Sequence, residues 1–386
     1  MLHKNMDMKK YTLTISLLVF TLSFQSFAQY HHGNLKIKRA IAYANTEERN
    51  PGQFDVSFSY KNLRLFPIIA SDAFIEQHKD LGKFTLLKDA IEQNKIIITE
   101  TGARNLANTE ALPVENVVDT TTQEFNGNPV IVQQPISNQH IQELNVNQIN
   151  LSGSVGGTVN TLFAQNKSSD TIFIMAGEVV KGGKQDRVIG QDVVLAPGEG
   201  VNLSAFCVEK SRWTTKDNNR GEFTGYYTVS SMDIRKSVTE DKNQSEVWRK
   251  VDEHTSKNGA TSETKAYTNL ENSEEYQNTV KAYLNTFEDA FKDNNRVIGV
   301  IAVTGNEIMG CDLFATHDLF IDSYVGLIHS YVSHAITQGS EVTINNDAVY
   351  TYLDSFLKSE EGQNEEIEKN GTVFEWGKRK LHITKY

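Results

Sequence analysis

Residues 171–213 read TIFIMAGEVVKGGKQDRVIGQDVVLAPGEGVNLSAFCVEKSRW and hold most of the unusual residue choices of this chain. The apolar runs in this stretch predict three strands. Successive side chains of a strand point to opposite faces, so Ile172 and Ile174 share a face with Glu178. A carboxyl group therefore lies at the end of an apolar row.

Two more charges occupy equivalent positions. Arg187 continues the row of Ile189 and Val193, and Glu209 is the next member of the row that ends at Cys207. A buried charge costs several kcal/mol unless it is paired. We therefore expect these three charges to meet one another. Other polar or aromatic side chains of the stretch should lie nearby, namely Lys184, Gln185, Arg212 and Trp213.

This charged cluster has two interpretations. It is either an ion-pair network that ties the strands together, or a polar pocket in which Lys184, Arg187 and Arg212 accept an anionic group. In the second case Glu178 or Glu209 could bind hydroxyl groups or act as a catalytic acid or base. The full set of candidate ligand-binding residues is Glu178, Lys184, Gln185, Arg187, Glu209, Arg212 and Trp213.

The same residues resemble the signature of a domain family described as associated with ADP-ribosylglycohydrolases and rhodanese-phosphatases. The matching pattern is GE, KQDR, a Pro-Gly turn, CVE and RW, carried by Gly177, Glu178, Lys184, Gln185, Arg187, Cys207, Glu209, Arg212 and Trp213. The similarity extends to NLRLFPI from Asn62, to the TLLKDAI segment and to GCDLF from Gly310. The resemblance implies an association with NAD or ADP-ribose metabolism, and it implies no particular reaction.

The amino-terminal residues predict a secreted or periplasmic protein. Lys9 and Lys10 precede an apolar segment, and small residues at Ser26 and Ala28 form a signal-peptidase site, so cleavage is expected after Ala28. Residues 1–28 carry three lysines and one aspartate, and their removal changes the net charge from −11 to −13. Such acidity disfavours nucleic-acid binding, and we expect no integral membrane segment after cleavage.

The remaining chain predicts a single α+β domain over residues 29–386. Residues 29–105 and 151–235 are strand-rich and should form a sandwich-like, mostly antiparallel part. Residues 106–150 are rich in Asn, Gln and Thr and predict a surface excursion whose VVDTT and PVIVQQ pieces form edge strands. The helix-rich part, residues 240–386, should contain a buried hairpin formed by VIGVIAVT and IMGCDLF.

Helical periodicity is strong in the second half of the chain. We predict helices over residues 244–257, 274–293, 317–338 and 348–358, followed by an acidic turn and two strands, TVFEW and KLHITK. A shorter helix, capped by Thr85, should precede a strand that ends at Thr99.

The sequence offers little support for a metal site or for a disulfide bond. Asp318, Asp322 and His329 share one stripe of the third helix, but this stripe lies opposite the apolar one, so a solvated face is favoured over a metal site. Cys207 and Cys311 lie among apolar residues and should be buried free thiols rather than a disulfide. We predict no metal and no cofactor.

The sequence thus favours a non-catalytic binding protein for an anionic small molecule or a protein partner of unknown identity. Two alternatives stay open. One is a hydrolase-like enzyme that acts on a nucleotide, ADP-ribose or a sugar phosphate through Glu178 or Glu209. The other is an envelope interaction protein in which the charged cluster is purely structural.

Overall fold

The computed structural model describes residues 58–101, 117–125, 128–135, 160–214, 221–357 and 360–386. The predicted signal peptide and most of the predicted surface excursion lie outside these residues. The strands are β1 (Ser59–Tyr60), β2 (Leu63–Ile69), β3 (Thr85–Leu86), β4 (Ile96–Glu100), β5 (Val117–Phe125), β6 (Asn128–Pro135), β7 (Thr161–Asn166), β8 (Ile172–Ile174), β9 (Glu178–Gly182), β10 (Arg187–Ile189), β11 (Val193–Leu195), β12 (Gly200–Cys207), β13 (Phe223–Val229), β14 (Val297–Thr304), β15 (Glu307–Phe314), β16 (Gly371–Trp376) and β17 (Arg379–Lys385).

The helices concentrate in the second half of the chain. They are α1 (Asp72–His78), α2 (Leu87–Glu92), α3 (Met232–Thr239), α4 (Gln244–Lys257), α5 (Glu274–Phe287), α6 (His317–Gln338), α7 (Asn346–Leu357) and α8 (Glu360–Asn370), with a 3-10 helix at Tyr267–Asn272. No helix in the described part of the chain has both the length and the apolar character needed to cross a membrane.

Most strands join one extended, largely antiparallel sheet. Its order runs from β1 through β2, β14, β15, β17 and β16, and then through the hairpin β5–β6 to β12, β10, β9 and β13. Strand β7 pairs with β12 and β4 on a branch of this sheet. A small second sheet, β11-β8-β3, packs across from the β4-β7-β12 region through shared apolar residues such as Ile174, Val193 and Leu203. The predicted α+β class with a sandwich-like, strand-rich first part is therefore confirmed.

The predicted hairpin in the second half is present as β14–β15, and both of its faces are buried. Val300 and Ala302 face a core that includes helices α3 to α6, whereas Ile301 and Val303 face a second apolar cluster with α7 and α8. This alternation explains why its sequence is a nearly continuous apolar run.

Several predicted elements differ in detail. The prediction that Thr85 caps a helix was wrong: Thr85 lies in β3, and α2 begins at Leu87 without a side-chain cap. The predicted acidic turn is helix α8. The VVDTT and PVIVQQ pieces do form strands, but they lie between β12 and β16 in the sheet order rather than at an edge.

Candidate functional site

The 171–213 stretch folds into five short strands, β8 to β12, rather than three. The apolar row that was predicted to run from Ile172 to Glu178 is broken at Gly177, whose φ of +94° forces a turn. Strand β8 therefore belongs to the small sheet and β9 to the large one. The row of Val201, Leu203, Ala205 and Cys207 on β12 is buried as predicted.

Arg187 lies at the centre of the charged cluster. It pairs with Val180 of β9 and Cys207 of β12, and only 2% of the residue is exposed. Its Nη1 donates to the backbone oxygen and Oε1 of Gln185 at 3.3 and 3.2 Å, and its Nη2 lies 3.8 Å from Oε1 of Glu100. Its Nε has no hydrogen-bond partner among the described residues. Burial lowers the pKa of this guanidinium, because the contacts compensate only partly for lost water.

Arg212, by contrast, is held tightly. Its Nη2 lies 2.6 Å from Oε2 of Glu209 and 3.3 Å from Oδ1 of Asp186, and its two Nη groups also donate to the carbonyls of Gly182 and Gly183. The same Glu209 oxygen accepts from the backbone N–H of Asp186 at 3.1 Å. This part of the cluster joins the ends of β9 and β12 to the turn between β9 and β10, which fits the structural interpretation.

The exposed edge of the cluster is formed by Lys184, Trp213 and Glu100. The Nζ of Lys184 lies 5.5 Å from the ring centroid of Trp213, whose exposed fraction is 51%. Glu100 accepts from the backbone N–H of Lys184 at 2.8 Å, and its other oxygen lies 3.9 Å from Lys184 Nζ. A carboxylate of the protein thus occupies the point toward which Lys184 and Arg187 converge. Gln185 is buried below this edge and donates to the carbonyl of Lys210 at 3.3 Å.

Glu178 does not join this cluster, so the prediction that it meets Arg187 and Glu209 was wrong. Its Oε2 accepts from the backbone N–H of Met175 at 2.7 Å, and its carboxyl group is hydrogen-bonded to Tyr226. No ion pair to Glu178 is found within the described residues. Burial raises the pKa of Glu178 to about 8, against the opposing effect of these two hydrogen bonds.

Glu178 faces a separate cavity of about 100 Å³ between β13 and α6. Phe173, Met175 and Val229 form its apolar wall, while Tyr226 and Ser323 add hydroxyl groups. Gly326 of α6 permits this packing, because a Cβ there would lie 2.7 Å from Val229. We refer to this space as the Glu178 cavity.

The stripe predicted to be solvated agrees only in part with the structure: Asp318 and Asp322 are exposed, whereas His329 is half-buried. Asp322 and His329 line the mouth of the Glu178 cavity, and burial lowers the pKa of His329. Within the described ranges, no group of histidine, cysteine or carboxylate side chains has an arrangement suited to a metal ion. Cys207 and Cys311 are buried free thiols, as predicted.

A second buried charged network, which the sequence did not reveal, lies in the core. Arg235 donates to both carboxylate oxygens of Asp312, at 2.9 and 2.6 Å. His382 lies between Asp312 at 3.2 Å and Asp192 at 2.5 Å. Although burial opposes its charged form, these two carboxylates raise the pKa of His382 to about 9.

Sequence reasoning also missed Glu100, Asp186 and Tyr226. Glu100 directly follows the apolar strand IIIT, so it is also a charge at the end of an apolar row, the pattern that identified Glu178, Arg187 and Glu209. Its pairing with Arg187, however, joins strands 87 positions apart and cannot be read from local spacing.

Comparison with known proteins yields one match. No curated protein and no solved structure matches the chain. The family model for the ARG and Rhodanese-Phosphatase-superfamily-associated Protein domain matches residues 53–381. This range covers most of the chain and includes both the charged cluster and the Glu178 cavity, so the protein belongs to that family.

Proposed function

We propose that the protein binds an anionic small molecule at the exposed edge of the charged cluster and performs no chemistry on it. Binding would occur outside the cytoplasm, after cleavage of the chain at Ala28. The signal-peptide pattern supports the location, and sequencing the amino terminus of protein exported by a bacterial host tests it. A mature chain that begins at Gln29 is expected, and retention of residues 1–28 would contradict the proposal.

The observation that carries the binding proposal is the position of Glu100. Its carboxylate lies 3.8 Å from Arg187 Nη2 and 3.9 Å from Lys184 Nζ, distances longer than those of a close ion pair. Arg187 also keeps an Nε without a partner among the described residues. Two cations and a backbone N–H therefore converge on a point where Glu100 stands in for an external anion.

The ligand would take over the contacts of Glu100 at this edge. Lys184 and Trp213 are accessible from solvent and could follow the ligand, whereas Arg187 is fixed beneath them. A planar anion-bearing molecule could place its charged group on Lys184 and an adjacent ring on Trp213. The family association suggests ADP-ribose, NAD and phosphosugars as the first probes.

Calorimetric titration of these probes tests the proposal with substitutions at the exposed edge. Lys184→Gln should weaken binding by roughly tenfold or more, because it removes a charge-assisted contact. Glu100→Gln should strengthen binding by a comparable factor, since it removes the competing carboxylate and keeps an acceptor for the Lys184 N–H. The matched control is Lys181→Gln, since Lys181 has similar exposure but pairs with Glu271.

Two results would overturn the proposal. One is the absence of heat and of any thermal stabilisation with all probes. The other is an equal loss of affinity in the Lys181→Gln control. In either case the cluster is a structural network, and an envelope interaction protein becomes the better description.

The raised pKa of Glu178 favours a second candidate, a hydrolase-like enzyme acting on a nucleotide, ADP-ribose or a sugar phosphate, of which only an uncharged reacting group would enter the Glu178 cavity. A carboxyl group with a pKa of about 8 is protonated at neutral pH and can act as a general acid. Glu209 is less suited to this role, because Arg212 holds it at 2.6 Å. Turnover that is lost in Glu178→Gln while binding persists would support the enzyme.

A further inference from the structure

The Glu178 cavity has features that the anion site does not use. The buried carboxyl group of Glu178 has no ion-pair partner among the described residues, so it stays neutral at pH 7 unless a cation enters the cavity. Ser323 is 4% exposed, lines the same space and has an Oγ without a hydrogen-bond partner in the described structure. The Glu178 carboxyl group and the Ser323 hydroxyl group thus line the cavity and can each form a further hydrogen bond.

The charge of the cavity argues against an anion. Its lining carries two carboxyl groups, Glu178 inside and Asp322 at the mouth, and its one cationic residue, Lys88, is an exposed residue on α2. Like-charged neighbours, Asp318 and Asp89, add to the burial that raises the pKa of Asp322. The mouth and interior together therefore favour a positive ligand over a negative one.

The dimensions limit the ligand to a small one. A cavity of about 150 Å³ can hold benzene, so about 100 Å³ suits a molecule of a few heavy atoms. Phe173, Met175 and Val229 would contact its apolar part. Glu178 and Ser323 offer oxygen acceptors, which match the N–H donors of a primary ammonium group better than a quaternary one.

We propose that the Glu178 cavity binds a small primary amine, with Glu178 as the anionic partner of its ammonium group and Ser323 as a further acceptor. At neutral pH, binding would convert the Glu178 carboxylic acid to a carboxylate and release its proton to the solvent. The inference concerns a site separate from the anion site and does not depend on it.

Proton release makes the affinity depend on pH in a defined way. Below about pH 8 the Kd for a primary amine that stays protonated over this range should fall by about tenfold per pH unit as pH rises, and just above pH 8 the Kd should level off. The other groups that face Glu178 or the cavity are Tyr226, Tyr227, Asp192, Asp322, Lys88 and His329. Of these, His329 has a lowered pKa and Tyr226 and Tyr227 have raised ones, so these three stay neutral between pH 7 and 8.

The test is calorimetric titration of the full chain with propylammonium and with propan-1-ol, its uncharged counterpart. Propylammonium should bind at least tenfold more tightly. Titration at pH 7 in two buffers with different ionisation enthalpies should show the release of close to one proton per amine. Glu178→Gln should abolish both the preference for the cation and the proton release, and it should fold because glutamine resembles the neutral carboxyl group already present.

Control variants separate this proposal from the anion site. Lys184→Gln and Glu100→Gln should leave propylammonium binding unchanged. Equal binding of propan-1-ol would overturn the proposal in favour of an uncharged ligand, and unaltered propylammonium affinity in Glu178→Gln would remove Glu178 from the site. Tight binding of tetramethylammonium in place of propylammonium would contradict the assigned hydrogen bonds to Glu178 and Ser323.

Discussion

Glu178 and Asp312 are both buried acids, yet their surroundings impose opposite protonation states. Glu178 has no cationic partner among the described residues, so burial dominates, with a smaller contribution from nearby Asp192, and raises its pKa to about 8. Asp312 is also buried, but the bidentate contact with Arg235 lowers its pKa despite that burial. One acid is therefore neutral at pH 7 and the other is charged.

The raised pKa of Glu178 predicts a specific pH dependence of stability. Its pKa rises from 4.5 in the unfolded chain to about 8 in the folded one, so its favourable contribution is complete below pH 4.5 and is lost as pH rises through 8. Between these limits the free energy of unfolding of the parent should fall relative to Glu178→Gln by up to about 1.4 kcal/mol per pH unit. Urea denaturation of both proteins from pH 5 to pH 8 measures this difference, and parallel curves would contradict it.

The Arg235–Asp312 pair predicts a large cost for removing one partner. Asp312→Asn leaves the buried guanidinium without its counter-charge, so the free energy of unfolding should fall by about 3–5 kcal/mol. The control is Glu246→Gln on α4, which breaks the exposed pair with Arg249 and should cost less than about 1 kcal/mol. Similar midpoints of urea denaturation for the two variants would show that the buried pair adds little.

At the level of elements, strands β9 and β13 approach each other closely at Gly182. Gly182 has a φ of +144°, and a Cβ there would lie 2.5 Å from the backbone oxygen of Glu222 and 2.8 Å from the Cα of Phe223. Gly198 also has a positive φ, +78°, but nothing lies within 4 Å of its Cβ position. The two positions share the conformational requirement and differ in the space around them.

This contrast gives a paired prediction. Gly198→Ala should cost about 1–2 kcal/mol, the ordinary penalty for a side chain at positive φ. Gly182→Ala should cost clearly more and should also weaken the anion site, because the strands must separate beside the Gly182 carbonyl that Arg212 contacts. Thermal denaturation ranks the two variants, and equal melting temperatures would contradict the close packing of β9 on β13.

The elements also show what local sequence could and could not reveal. Helices α4 and α6 match their predicted bounds because caps and a 3.6-residue period mark them within the segment itself, as at Thr316 and Gly339. The charged cluster was only partly predictable. The alternation of side chains along a strand identified Arg187 as a buried charge. The turn at Gly177, however, directs Glu178 away from Arg187, and the partner Glu100 comes from a strand distant in sequence.

On the scale of the whole molecule, one apolar core joins the strand-rich and helix-rich parts. It includes Leu63 of β2, Val188 of β10, Tyr283 of α5 and Leu381 of β17. The Arg235–Asp312–His382–Asp192 network crosses the same boundary, since Asp192 belongs to the first part and Asp312 to the second. Opening one part would therefore expose apolar surface and charges of the other.

A shared core predicts cooperative unfolding of the two parts, and the two thiols can report on each part separately. Cys207 lies on β12 and Cys311 on β15, and both are fully buried. The variants Cys311→Ala and Cys207→Ala each keep one thiol. In each variant, labelling of the remaining thiol should begin at the urea concentration at which that variant's fluorescence transition begins. Labelling of either thiol well before its fluorescence transition would mean that its part opens alone, because a shared core requires both thiols to become accessible together.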